Sequence, residues 1–215
     1  MTAQRVVLLG TGLYAEELTD LVAAIDGVEL VAYCENLDPD KAGHDIAGRP
    51  IVWVDDLPAL GDVRAVCAMT TTERESYVEQ VGALGIGFTR LVHPSAVVAP
   101  SVQLGAGVVV QAGVIIGART ALGDHVMVNR GALIGHHATF GDYATVQPGA
   151  NIGGATTIGA RSYIALGAMV LDRRRVGEGA LVGAGALVTR DVEPHVQVMG
   201  TPAREVKRGV TGRAT

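Results

Sequence analysis

Aromatic residues make up only 4% of the 215-residue sequence, and cysteine occurs twice. So few rings suit thin, repetitive packing better than a large aromatic core. Cys34 and Cys67 lie far apart and form no C-x-x-C pair. Neither metal nor redox chemistry is signalled, and the chain suits a reducing compartment. There is no basic excess either, and a formal net charge of −5 argues against a nucleic-acid or anionic-membrane surface. At the N-terminus the apolar run covers only residues 6–9, before Gly10 and Gly12. That is too short for a signal peptide or a membrane span, so a cytoplasmic location is expected. The length allows one large domain or two small ones.

What is present is a repeat. From Val92, steps of six reach Val98, Leu104, Val110, Ile116, Leu122 and so on to Val188, seventeen bulky apolar residues without a slip. The residue after each is most often glycine, as at Gly105, Gly117, Gly135 and Gly153. The residue four places on is Ala, Val, Thr or Ser in sixteen of the seventeen hexads, Arg174 being the break. A period of six fits neither an α-helix nor a plain alternating strand. It suits a short strand and a turn, three such units closing one triangular coil, with the bulky residue inside. Each coil covers the open edge of the last, and seventeen hexads make nearly six coils. Glycine at the second position is expected to supply positive φ at the turn.

Ahead of the repeat, residues 5–10 read as a buried parallel strand and Gly10-Thr11-Gly12 as a tight turn. A helical stripe runs from Leu13 to about Asp26, and a second strand over residues 28–33. This is a mononucleotide-binding arrangement, with G-x-G-x-x-A at Gly10, Gly12 and Ala15, where glycine lets a phosphate approach a helix N-terminus. Glycines at such a turn also serve packing alone. Residues 36–50 read as a loop, 51–54 and 64–69 as strands, and 73–84 as a helix beside Thr70-Thr71-Thr72. The expected divisions are residues 1–91, 92–193 and 194–215, the last a turn followed by a frayed polar tail.

The order of these parts resembles the sugar O- and N-acyltransferases of the hexapeptide-repeat superfamily, including sialic acid O-acetyltransferases and N-acetyltransferases of 4-amino-sugar nucleotides. The resemblance covers nearly the whole chain. It is carried by the Gly-rich first turn, HPSA at 93–96, NRGALIGHH at 129–137, PGANIGG at 148–154, GAGALV at 183–188 and GTPAR at 200–204. It implies a Rossmann-like α/β domain followed by an all-β left-handed parallel β-helix, a homotrimer, and acetyl-CoA as acyl donor without a metal.

Acyl transfer to an amine or hydroxyl needs a base and donors for the developing oxyanion. Histidine suits the base near pH 7. Of His44, His93, His125, His136, His137 and His195, His136 stands where the family has its catalytic histidine. By spacing it is a corner residue pointing out of the prism, a place an ordinary solvent-exposed histidine would also take. The family usually has Asp or Glu next, and here it is His137, which can orient an imidazole but not balance its charge. A histidine nine residues on is replaced by Thr145. The resemblance places the pantetheine arm against Gly154, Ala165, Gly183 and Ala184, with Gly154 N–H as oxyanion donor. Arg204 is a candidate for the CoA phosphates, and so is the run Arg173-Arg174-Arg175, which also reads as a solvated charge run. It places the acceptor in the first domain, near Gly10, Thr11, Gly12, Tyr14, Glu35 and Thr70. Leu13-Tyr14 replaces the Gly-His usual in that turn.

The expected reaction is direct acetyl transfer to the amine of a nucleotide-linked amino sugar. No cysteine or serine is expected to act as a nucleophile. O-acetylation of a sugar, sialic acid among them, remains open, and so does a non-catalytic CoA- or nucleotide-binding relative. A β-helical carbonic anhydrase fails, because the histidines show no set that would converge on zinc from neighbouring coils.

Overall fold

A computed structural model describes residues 3–213 and divides the chain into two compact units. One comprises Met1–Thr70 and Arg74–Leu91, the other Thr71–Glu73 and Val92–Thr215.

The first unit runs β1 (Gln4–Leu9), α1 (Leu13–Ala23), β2 (Val28–Glu35), β3 (Asp45–Ile46), β4 (Arg49–Trp53), β5 (Arg64–Cys67) and α2 (Glu75–Ala83). Its sheet has the order β3-β4-β2-β1-β5, parallel except for the β3–β4 hairpin. Val6, Val7, Leu8 and Leu9 are all buried, which is why β1 reads as an unbroken apolar run rather than an alternation. α1 buries Ala15, Leu18, Leu21 and Val22, and α2 buries Tyr77, Val78 and Val81, one stripe each. Leu9 pairs with both Cys34 and Cys67. The ends of β1, β2 and β5 are therefore level, and Gly10, Glu35 and residues 68–70 follow at one edge of the sheet. The two thiols, a strand apart on either side of β1, are free and buried, and burial pushes each up to about 11.

In the second unit nearly every hexad is a two-residue strand whose second member is the bulky apolar residue. Each strand pairs in parallel with the one eighteen residues on, as Leu133 with Asn151 and Ile134 with Ile152. Three sheets result. The hexad residues fill the prism together with Ala132, Ala138, Ala144 and Ala150. Threonines at the small position stay dry by donating to carbonyls, Thr120 Oγ1 to Gly135 O at 2.9 Å and Thr156 Oγ1 to Gly153 O at 2.6 Å.

The outward residue of each strand gives each face its character. On one face Val109, Met127, Thr145 and Tyr163 are buried. On the next, Val97, Ile115, Leu133 and Met169 are 62, 47, 41 and 40% exposed, an apolar ladder broken by one polar rung at Asn151. The third carries Gln103, Ala121, Thr139, Thr157 and Arg175, mostly polar. Among the described residues no helix is long and apolar enough to cross a membrane.

Two expectations need correction. Positive φ falls not on the glycine after the hexad residue but two places later, at Arg119, His125, Gly131, His137 and their counterparts. The glycines are there for closeness: a Cβ on Gly135 would stand 2.6 Å from Gly154 N, and one on Gly117 2.7 Å from His136 N. The next coil passes too near for any side chain. Secondly, the C-terminal tail is not frayed. Val196–Met199 continues the buried face, and Arg204–Arg208 pairs with it antiparallel. Beyond them Gly212 N donates to Gly179 O at 2.6 Å, and Arg213 Nη1 donates to Tyr163 Oη at 2.8 Å.

Candidate active site

After Ile134 the chain leaves the apolar face and turns at Gly135-His136-His137 towards the polar one. His137 takes φ 56°, which swings the chain round the corner, and its N–H donates to Ala118 O at 2.8 Å in the coil before. Both imidazoles are exposed, with rings edge to face, and the two Nδ1 atoms are 3.0 Å apart. One Nδ1 must therefore carry hydrogen and the other accept it.

Gly154 stands one coil above His136. A Cβ there would lie 2.9 Å from both Cε1 and Nε2 of the His136 ring, so the imidazole rests on the bare Cα of Gly154. The N–H of Gly154 donates to Asp172 Oδ1 at 2.7 Å, one coil higher again. It is thus not open to an oxyanion while that carboxylate stays in place. Asp124 and Asp142 hold corner amides in the same way, at Ala106 and Asp124. Nothing in the hexad pattern marked Asp172, which occupies an ordinary turn position.

Ala165, Gly183 and Ala184 lie on a different corner, between the buried and the apolar face. The apolar ladder separates them from His136 and Gly154, so a single chain does not bring the two groups together. Gly183 approaches the C-terminal strands: its N–H donates to Val198 O at 2.8 Å, and a Cβ on it would meet Met199 Cγ at 2.7 Å. Met199 pairs in turn with Arg204, which is exposed and donates to Ala203 O at 2.9 Å. The strand Val196–Met199 therefore lies between Gly183 and Arg204. Thr145 lies on the buried face with Met127 and Tyr163, away from His136. In the arginine run, Arg174 Nη1 reaches Asp191 Oδ1 at 3.5 Å and Arg175 points out from the polar face.

In the first unit Gly10 has φ 111° and opens the turn into α1, whose N-terminus Gly12 caps without a side chain. Glu35 is buried at the end of β2. Its carboxylate accepts from Thr11 Oγ1 at 2.5 Å, from Lys41 Nζ at 3.2 Å, and from the amides of Asn36 and Leu37, each at 3.0 Å. Burial alone would raise this carboxyl, but the hydrogen bonds from Thr11, Leu37, Lys41 and Asn36 outweigh it and bring it down to about 2. The sequence did not single out Lys41, which lies in a polar loop with no period to mark it. Tyr14 is half-buried on the first turn of α1, and Thr70 half-buried after β5. Of the threonine cluster, Thr72 is engaged: its N–H donates to Arg213 O at 3.0 Å and its hydroxyl to Thr211 O at 2.7 Å. Among the described residues no group of three or more His, Cys, Asp or Glu side chains could hold a metal ion.

No protein-family model matches the sequence, and a comparison with curated proteins gives no match. Solved structures do match. PerB, the perosamine N-acetyltransferase of Caulobacter crescentus, solved with CoA and GDP-perosamine, is 31% identical with a TM-score of 0.87, the match covering 94% of this chain and 97% of that one. The acetyltransferase domain of PglB from Neisseria gonorrhoeae, solved with acetyl coenzyme A, is 28% identical with a TM-score of 0.87, covering 95% and 100%. WeeI from Acinetobacter baumannii, at 21% identity and a TM-score of 0.73, shares the fold. The repeated parallel sheets fit a left-handed β-helix. Coil, corner and sequence likeness agree, and the chain belongs to the hexapeptide-repeat sugar acyltransferases.

Proposed function

We propose that this acyltransferase moves an acetyl group from acetyl-CoA to the amine of a nucleotide-linked amino sugar, with His136 as general base. The observation that carries this reading is the match, over nearly its whole length, to an enzyme solved with CoA and GDP-perosamine. The amine nitrogen attacks the thioester carbonyl, the C–S bond breaks, the thiolate leaves, and the amine proton passes to His136 Nε2. Such a base is worth ~10²- to 10⁴-fold in rate. Transfer is direct. Ser95 is the serine nearest to looking activated, with Oγ 2.8 Å from His93 Nδ1, but it also accepts from Gly113 N at 3.1 Å and so closes the first corner of the prism.

Residues 1–91 form a Rossmann-like acceptor domain, with Gly10, Thr11, Gly12, Tyr14, Glu35 and Thr70 at the sheet edge where a nucleotide would lie. Residues 92–193 form the catalytic β-helix, and 194–215 its C-terminal turn and tail. The apolar ladder is covered by further copies of the chain in a homotrimer. That assembly would set the His136 corner of one copy against the Ala165 and Gly183 corner of the next, where the pantetheine arm fits. A cytoplasmic location suits the supply of acetyl-CoA.

The test is release of CoA thiol from acetyl-CoA with a panel of 4-amino and 3-amino sugar nucleotides and with sialic acid, wild type beside His136→Ala. Turnover on an amino sugar that collapses in the variant supports the proposal. Turnover on sialic acid alone would replace N- by O-acetylation, and binding of acetyl-CoA without any turnover would leave a non-catalytic relative.

A further inference from the structure

The two facing Nδ1 atoms, 3.0 Å apart, allow two arrangements of one shared hydrogen. If His137 donates, His136 must keep its hydrogen on Nε2 and cannot act as a base there. If His136 donates, its Nε2 lone pair is bare and points away from the pair, while His137 carries its own hydrogen on Nε2. Only the second arrangement serves acyl transfer. After His136 takes the amine proton it still donates from Nδ1 to a neutral His137, so the contact survives the proton transfer. Were both rings protonated, two N–H groups would face each other and the contact would be lost.

We infer that His137 is a positioning residue that holds His136 in its Nδ1–H form by accepting from it, a neutral stand-in for a carboxylate. This rests on the reading of His136 as base. The φ of 56° at His137 does not restrict the replacements, since Arg119, Tyr143, Ala155 and Arg161 adopt the same backbone at the same place in their hexads. The corner holds other charged groups: Arg119 one coil below His137 in the same column, Arg173 two coils above it, and Asp172 two coils above His136 and bound to Gly154 N. None of these intervenes between the two rings. The pair acts without a permanent negative charge.

The experiment compares wild type with His137→Ala, His137→Asn, His137→Glu and His136→Ala on the amino sugar nucleotide that turns over. It follows kcat, KM and the pH profile of kcat/KM, and ¹⁵N spectra of the histidine side chains in the ligand-free protein. The expected result is a kcat loss of roughly tenfold or more in His137→Ala, short of the ~10²- to 10⁴-fold of losing a base, with KM little changed. His137→Asn, whose Oδ1 can accept in the same place, restores most of it. His137→Glu moves the acid limb of the profile to higher pH, because an anion beside His136 favours its charged form. The spectra show His136 protonated at Nδ1 in the wild type and no longer so fixed in His137→Ala.

If His136→Ala is inactive while His137→Ala keeps wild-type kcat and pH profile, the inference falls and the base stands. If activity survives in His136→Ala, the base reading falls and the inference with it. A wild-type spectrum with His136 protonated at Nε2 would also overturn it.

Discussion

At the scale of single residues, the proposed site depends on one absent side chain. Gly154 is where the His136 imidazole rests, and Gly154→Ala would place a methyl carbon 2.9 Å from Nε2, the atom proposed to take the proton. The prism tolerates alanine at corners, so the variant is expected to fold. Its kcat should drop roughly 10- to 100-fold from a ring displaced by a few tenths of an ångström. Steady-state kinetics beside a thermal melt distinguish this from unfolding. Glu35 gives a second prediction. Its carboxyl titrates near 4.5 in the unfolded chain and at about 2 in the folded protein, so across that window the unfolded chain binds the extra proton. The stabilisation is complete above pH 4.5 and disappears as pH falls through about 2. Glu35→Gln should flatten the dependence of melting temperature on pH in this window, measured against wild type in the same buffers.

Much of the β-helix was legible in the sequence, for a physical reason. A bulky residue every six places can face inward in only one phase, and the second residue of nearly every strand is the one the phase selects. Residues fixed by one or two side-chain contacts, with no period to mark them, were not legible. Lys41 is held by Thr11 and Glu35, and Asp172 by an amide eighteen residues away. Arg174 broke the small-residue column, and the structure shows how: its guanidinium turns from the prism towards Asp191. The repeat fixed the spacing of the glycines but not their cause, because closeness of the next coil and left-handed backbone favour the same residue.

At the scale of elements, the C-terminal segment differs most from its sequence. The stretch REVKR has none of the alternation of a buried strand, yet it pairs along Val196–Met199 because that strand leaves an open edge there. Its basic residues leave the outer edge charged and poorly suited to further pairing. The following residues hold Thr72 by its amide and hydroxyl and reach Tyr163 through Arg213. Truncation after Gly209 removes all of these bonds. The second unit is expected to lose about 1–3 kcal/mol, since Thr72 is left with buried donors to satisfy. Denaturant unfolding of the truncated and full-length chains measures it.

At the scale of the whole molecule, the three faces of the prism ask for different neighbours. Val97, Ile115 and Leu133 on successive rungs, with Met169 beyond the polar rung of Asn151, make an exposed apolar patch that water covers at a cost. Ile115→Asp with Met169→Asp should break the proposed homotrimer into smaller species, read by sedimentation or light scattering. Because the proposed site spans two copies, activity should fall with the assembly and recover as protein concentration rises. Dissociation with full activity would place the whole site in one chain.

Because the strands pair at intervals of eighteen residues, chain length in the β-helix works as an address. Eighteen residues added ahead of Gly131 would raise His136 by one rung, about 4.8 Å, and leave it on the same corner. Six added there, equally regular in sequence, would turn it a third of the way round, away from the apolar ladder and onto the polar side. Only the longer insertion would keep each face stacked on its own kind and leave the histidine facing the neighbouring copy proposed above.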